Sequence, residues 1–551
     1  NVGTFLMTGG KWYWEVLAND VYNTGIGVII PNSALYNQMR TANSGWVGAA
    51  DGGFGINYNG SGNAAKWYSN YYTSYSINSY IPSASNGDVF QVAFDADSGK
   101  IWVGKNNTWG NNGSGVGNPA SGTYPADTLT SDELRNGLFP FFSYENAQLT
   151  FKSGQDSSFV GQKTAQSNSD DNGYGDFYYT PPSGFLALCT ANLSDPDVIP
   201  SENFNTILWD GNSSNPRSIT GVGFQPDLVW GKIRSAVGNH YVMDSSRGSG
   251  TGTLKVLNAD DNVAEQTNTS GGSTSFGVYT SIDSDGFTVT SGSSSAKNTN
   301  ETSQKYVAWN WKVNGGTTSS NTSGSITSTV QVNQDAGFSI ITYTGNGTQG
   351  ATIGHGLSQA PEFFQTKLRS GTNNWHGWHT GLTSASYGIY FDIPNTQSSN
   401  SNQWDNTEPS SSVITLGNNG GVNSSGGTYV CYAWHSVPGY SKVGSFNGNG
   451  NADGPCIYTG FKPDLIIFKP INLYEDWTMI DSTRDSYNPA GRNWVYVDGS
   501  SGGSLDGSNT KAIDYYSNGF KPRTNTSFFN NSTKYIYIAF AQTPFKYATA
   551  R

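Results

Sequence analysis

One twelve-residue stretch, GFKPDLIIFKPI at 460–471, occurs twice more in altered form, as GFQPDLVWGKIR at 223–234 and GLSQAPEFFQTKLR at 356–369. In each copy a proline (Pro226, Pro361, Pro463) precedes an acid (Asp227, Glu362, Asp464), and a short apolar run follows. A lysine stands six positions after each proline, at Lys232, Lys367 and Lys469. Upstream, a Gly-Asn pair recurs (Gly211-Asn212, Gly345-Asn346, Gly448-Asn449), 15, 16 and 15 residues before the proline. Each copy ends in an aromatic run: YVAWNW (306–311), YVCYAWH (429–435) and YIYIAFA (535–541). A similar order at similar spacing describes one unit used three times.

The run after each proline has strand length and is apolar at successive positions, so both faces of that strand should be buried. A proline lacks the amide that a ladder needs, which suits the start of a strand. The Gly-Asn pairs mark turns, as do SDGF (284–287) and SNGF (517–520). No long apolar stripe at helical spacing appears in the three copies. Each is expected to be a β-sandwich, over 204–313, 336–437 and 441–551. The Ser/Thr-rich run 314–335 between the first two reads as flexible, or as an extended strap along a neighbour. Only SVPGY (436–440) parts the last two, so those should be nearly rigid relative to each other.

Residues 1–154 have a different pattern. In GKWYWEV (10–16), Trp12 and Trp14 fall on one face and Tyr13 and Glu15 on the other. VFQVAFD and KIWVGKN flank the turn Ala96-Asp97-Ser98-Gly99, which reads as a hairpin. GIGVII (25–30), GGFGINYNG (52–60), LFPFFSY (138–144) and QLTFKSG (148–154) supply further strands. The segment 155–203 contains a proline pair and reads as an irregular bridge docking on the sandwich. The expected class is therefore all-β throughout. High aromatic content (14%) with little charge (13%) excludes a disordered chain. A net charge of −11 argues against a nucleic-acid partner. No run of 18 apolar residues offers a membrane-inserting helix.

Few residues point to chemistry. Cys189, Cys431 and Cys456 show neither disulfide nor metal spacing and read as buried thiols. GNGTQG (345–350) matches a dinucleotide fingerprint, but the ATIGHGL that follows is not helical, so the turn reading wins. DADSG (95–99) lacks the later glutamate of a calcium loop and is the hairpin turn. Asp244 and Asp481 each open a DSxR stretch, read as an acid–arginine pair bracing a loop. No nucleophile, metal set or paired-acid groove is marked, so no catalytic residue, metal or cofactor is expected. Two aromatic clusters remain. WYSNYYTSY (67–75), with Trp67, Tyr68, Tyr71 and Tyr72, is either ligand-contacting or packed, and Trp109 shares that ambiguity. NWHGWH (374–379), with Trp375, His376, Trp378 and His379, allows a packed aromatic turn, a glycan-stacking platform or a pair of metal ligands. The last needs a helix, which is not expected here.

The GKWYWEV opening, the IGV strand, the DVFQVAFDADSGKIWVGKNNTW hairpin and the LFPFFSY strand resemble a SPRY domain. That resemblance implies a bent β-sandwich that binds partners through its loops. The Asn/Gly-rich insert 106–124 departs from the pattern, so no site residues carry over. The segment 171–193 resembles the region that follows SPRY-like domains in bacteriophage proteins, and the three repeats and the ending AQTPFKYATAR (541–551) resemble the uncharacterised C-terminal modules of tail-fibre-like proteins of marine bacteriophages. This implies a non-enzymatic virion protein, extracellular and homo-oligomeric (a trimer), that joins other virion proteins and binds a host-surface glycan. A purely structural virion role is the alternative, and a depolymerase a more distant one. The first residue, Asn1, enters a strand-like stretch at once, which suggests a gene product extending further N-terminally, whereas the ending suggests a natural C-terminus.

Overall fold

The alternation in KWYWEV is realised as a strand, Lys11–Ala18, with Trp12, Trp14 and Val16 in one buried cluster and Tyr13 in another. This is seen in a computed structural model that describes residues 5, 7, 9–20, 24–29, 53–58, 64–68, 71–76, 81, 84–129, 134, 138–144, 148–193, 195–250, 254–267, 277–292, 299–488, 493–501, 504–505, 512–544 and 546. Nearly all of its regular structure is antiparallel β, in two units, 1–195 and 196–551.

In the N-terminal unit one sheet runs in the order Leu149–Lys152, Lys11–Ala18, Val89–Asp95, Lys100–Lys105, Thr108–Trp109. The second runs Phe139–Tyr144, Thr24–Ile29, Gly53–Tyr58, Ala64–Tyr68, Tyr71–Ser76. Trp14, Val92 and Val103 of the first meet Ile26, Val28 and Phe54 of the second in one apolar layer, which makes a sandwich. The segment that follows covers the outer face of the first sheet. Phe177 packs edge-on against Tyr13 and Phe185 against Trp102. Glu15, fully buried, anchors it by accepting the amides of Tyr178 and Tyr179 at 2.8 and 2.7 Å.

The C-terminal unit contains the three repeats, and their strand order is the same. In module 1 it is Phe204–Asp210, Lys305–Trp311, Leu228–Ile233, His240–Asp244, Lys255–Asn258, Gln266–Thr267. Module 3 repeats it with Ser441–Asn447, Lys534–Pro544, Phe461–Pro470, Thr478–Asp481, Asn493–Tyr496, Ser504–Leu505. Module 2 uses Phe338–Thr344, Thr428–Trp434, Phe363–Leu368, His376–His379, Tyr387–Tyr390, Ser398–Ser399, and adds Ser328–Asn333 and Ser319–Asn321 at the first edge. The Ser/Thr-rich run 314–335 is therefore built into a sheet, as a strap. In every module the strand after the proline lies between the aromatic closing strand and its hairpin partner, so it is central and buried. Pro463 sits where the register slips, a bulge that needs no amide from it.

The Gly-Asn pairs are the halves of a clasp. Asn300, Asn423 and Asn530, all fully buried, receive the amides of Asn212, Asn346 and Asn449 and return a side-chain hydrogen bond to the same residues. A Cβ on Gly211, Gly345 or Gly448 would collide with the carbonyl of Glu301, Ser424 or Asn531, so only glycine lets the chains approach this closely. The acids after the prolines act at the other end. Asp227 accepts the amides of Val313, Gly315 and Gly316, and Glu362 that of Ser436, where the chain leaves the closing strand.

The modules close on one another around a common apolar core drawn from all three. Strand register makes His240, Trp375 and Trp477 equivalent positions. Each donates a ring N–H to a backbone carbonyl of the next module: His240 Nε2 to Tyr496 (2.8 Å), Trp375 Nε1 to Asn258 (2.8 Å) and Trp477 Nε1 to Tyr390 (2.7 Å). The acceptors are also equivalent by register. Module 1 thus reaches module 3, module 2 reaches module 1 and module 3 reaches module 2, a closed pseudo-threefold ring. A second set joins the same seams, with Trp309 donating to Asp481 at 3.1 Å and Tyr432 to Asp244 at 2.6 Å in the same sense, and His379 Nε2 donating to the Tyr537 carbonyl at 3.2 Å in the opposite sense. Between the modules a cavity of about 20 Å³ is lined by matching residues, Trp230, Gln365 and Ile467 with Trp311, Trp434 and Phe540. That space fits one water-sized molecule, not a sugar.

Candidate functional site

NWHGWH is not a surface platform. Trp375, His376, Trp378 and His379 are all buried, because the strand His376–His379 has packed neighbours on both faces. Trp378 stacks on Phe364 at 5.7 Å and Trp375 crosses the seam between modules 1 and 2. His376 accepts from Gln403 Nε2 at Nδ1 and bonds Asn373 Oδ1 through Nε2, while His379 receives the Gly381 amide at Nδ1. Burial holds both imidazoles down at about 4, neutral, with every ring nitrogen engaged. These four residues are therefore corrected from ligand contacts to core. Among the described residues no group of three or more His, Cys, Asp or Glu could hold a metal.

Trp109 is half-buried and packs on the cluster of Trp102, Phe177 and Phe185. Trp67, Tyr68, Tyr71 and Tyr72 lie on the paired strands Ala64–Tyr68 and Tyr71–Ser76, at the end of the second sheet, and their side chains lie outside the described residues. The two DSxR stretches are loop braces: Arg247 Nε donates to Asp244 and Arg484 Nε to Asp481, both at 2.5 Å, and each acid also takes the arginine's own amide. All of these acids and arginines are buried, so their charge faces the seams and not a groove.

A different group of aromatics reaches solvent, on module 3. In NWVYVD (493–498), Val495 and Val497 point into the axial core, so Trp494 and Tyr496 share the other face, where Trp494 packs in part against the outer cluster of module 3. The Trp494 and Tyr496 rings lie 4.4 Å apart and Phe528 extends the group 5.8 Å from Tyr496, all three half-buried. Tyr474 and Tyr487, 71% and 75% exposed, stand on the loops before and after Thr478–Asp481. Burial raises the Tyr496 phenol, and the nearby Asp476, Glu475 and Asp498 carboxylates raise it further. The site thus joins ring faces, which suit the C–H faces of a sugar, to carboxylates that can accept its hydroxyls. The alternation W-V-Y-V was visible in the sequence, but nothing there told which face was outward. At the equivalent positions modules 1 and 2 carry Val256 and Asn258, and Gly388 and Tyr390, so this aromatic group belongs to module 3 alone.

No curated protein matches the chain. Residues 199–544, which take in all three modules and more than half of the sequence, match the family model described as a domain of unknown function (DUF7483), and the chain belongs to that family.

Proposed function

We propose that this protein is a non-enzymatic appendage protein of a bacteriophage virion that binds a bacterial surface glycan. The observation that carries the reading is the half-buried cluster of tilted rings, Trp494, Tyr496 and Phe528, beside Glu475 and Asp476, mounted on a scaffold of three interlocked modules. A rigid mount lets weak contacts count, since little is lost in ordering the site. Stacking a sugar on one tryptophan face of roughly 80 Å² contributes about 2 kcal/mol. A single site of this kind is weak, and several copies on one particle would gain through effective concentration. A homotrimeric assembly and attachment to other virion proteins belong to the same proposal, as does the SPRY-like reading of the N-terminal sandwich. Among the described residues no helix is long and apolar enough to cross a membrane.

The test is adsorption of the labelled full chain to bacteria and to their purified capsular and lipopolysaccharide glycans. Trp494→Ala should leave the fold intact and weaken binding about tenfold or more, the loss expected from one stacked face. Binding unchanged by Trp494→Ala and by Tyr496→Ala would remove this site, and release of oligosaccharides would overturn the non-enzymatic reading. A purely structural virion role is favoured by one observation, the closed ring of seams, which suits a load-bearing spacer. It is distinguished by the absence of any saturable binding to host cells.

A further inference from the structure

We propose that the seam between modules 3 and 1 is a binding site for a small oxyanion, a carboxylate foremost, held between the guanidinium groups of Arg234 and Arg484. The two other seams show what belongs at that position. Between modules 1 and 2 the Glu265 carboxylate bridges two arginines. Arg247 Nη1 donates to it at 2.9 Å, and Arg369, from across the seam, donates through Nε and Nη2 at 2.7 and 3.0 Å. Counted from the strand pairs, the same three positions between modules 2 and 3 are Leu382, Gln397 and Ile471, so that seam is uncharged. Its backbone is nonetheless the same: Gln397 donates its amide to the Ile471 carbonyl as Glu265 does to that of Arg369, both at 2.9 Å. Between modules 3 and 1 the positions of Arg247 and Arg369 fall on Arg484 and Arg234. Ser504 is the counterpart of Gln266, and the residue before it is Gly503 where module 1 has Glu265. Both cations are kept and the acid is gone.

The hydrogen bonds record the loss. The Arg484 side chain is only 1% exposed, and its Nε and backbone amide hold Asp481, but Nη1 and Nη2 have no partner. Arg247 spends the same two nitrogens on Glu265 and on the Tyr432 hydroxyl and Val242 carbonyl. The counterpart of Tyr432 is Trp309, whose indole donates but cannot accept and whose ring lies 5.2 Å from the Arg484 guanidinium. Two exchanges, a tyrosine for a tryptophan and a glutamate for a glycine, thus remove both acceptors. Arg234, half-buried, keeps its Nε buried and equally without a partner. Burial opposes the charge on Arg234 and the Arg484 charge opposes it further, although Asp481 and Asp210 favour it. The acids nearby are committed elsewhere: Asp481 takes the Arg484 Nε and the Trp309 indole, and Asp485 takes the Asn493 amide. Leaving buried charged donors unsatisfied is costly, and one anion with two oxygens satisfies both guanidinium forks at once. The position is reachable from solvent. At the matching seam Glu265 and Arg369 keep 12% and 22% of their side-chain surface exposed, which places the bridge at the outer edge.

Chemical unfolding of the full chain at pH 7, with sodium acetate or sodium phosphate titrated in at constant ionic strength, tests the proposal. Either anion should lower the unfolding equilibrium constant of the C-terminal unit saturably, by about tenfold when it reaches ten times its dissociation constant. Arg234→Gln removes one fork from a half-buried position and should abolish that response. Arg234→Lys keeps the charge without the planar fork and should weaken it. Arg369→Gln, at the seam that carries its own acid, should leave the response in place. No saturable response to either anion, or one that Arg234→Gln retains, overturns the proposal, as does one that Arg369→Gln removes just as fully.

Discussion

At the scale of single residues, the chain reuses a few positions for one task each. The glycine of each Gly-Asn pair is needed because a carbonyl sits where a Cβ would be, and the asparagine because it locks to a second, buried asparagine. Gly448→Ala should therefore cost about 1–3 kcal/mol, as overpacking does, whereas Gly420→Ala, whose Cβ meets nothing within 4 Å, should stay within about 0.5 kcal/mol of the parent. Paired denaturation curves check this, and equal effects would mean the clasp is not tight. The sequence displayed the first half of each clasp through its repetition. The second half lay 88, 77 and 81 residues away with no shared neighbours to mark it, so the pairing was invisible without the fold. The same holds for the lysines, whose spacing from the proline was plain but of which Lys232 and Lys367 each reach one carbonyl in another module besides one in their own.

At the scale of elements, legibility followed burial. The strand after each proline was readable because an unbroken apolar run of strand length has few other uses. His376–His379 was not, because a short strand packed on both faces mixes polar and aromatic residues without a period of two, which leaves a packed turn, a glycan platform and metal ligands all open. For the strap Ser328–Asn333 composition left a flexible linker and an extended strap equally open, because its ladder to Phe338–Thr344 is set by backbone groups that any residue carries. The elements that cross the seams depend on single polar bonds. Trp477→Phe removes the indole N–H and leaves the Tyr390 carbonyl without that donor. The expected cost is about 1–3 kcal/mol, the penalty for a buried group left unsatisfied. Trp494→Phe, on the half-buried outer face of the neighbouring strand, should cost less. If equilibrium unfolding ranks the two the other way, the crossing bonds do not hold the seams.

At the scale of the whole molecule, triplication does what three associating chains would otherwise do. Each module turns one face of its main sheet toward the axis, and the residues there belong to a single buried cluster rather than to three. Modules 1 and 3 keep further clusters on their outer sides, around Phe287 and Tyr306 and around Phe520 and Tyr535, but these hold far fewer large side chains than the shared core. Removing module 3 would bare Trp309, Trp311 and Trp434, take away the Asp481 that receives the Trp309 indole, and leave His240 without the Tyr496 carbonyl. An apolar face of that extent in water does not stay monomeric. The modules should therefore fold as one cooperative body, although each has the size of an independent domain. A chain truncated before Ser441 is expected to aggregate or to unfold without a cooperative transition, and calorimetry of the full chain should give one transition for 196–551 rather than three. A soluble truncated chain that melts cooperatively, with modules 1 and 2 intact, would show that the axial core is an accessory contact and that each module stands alone.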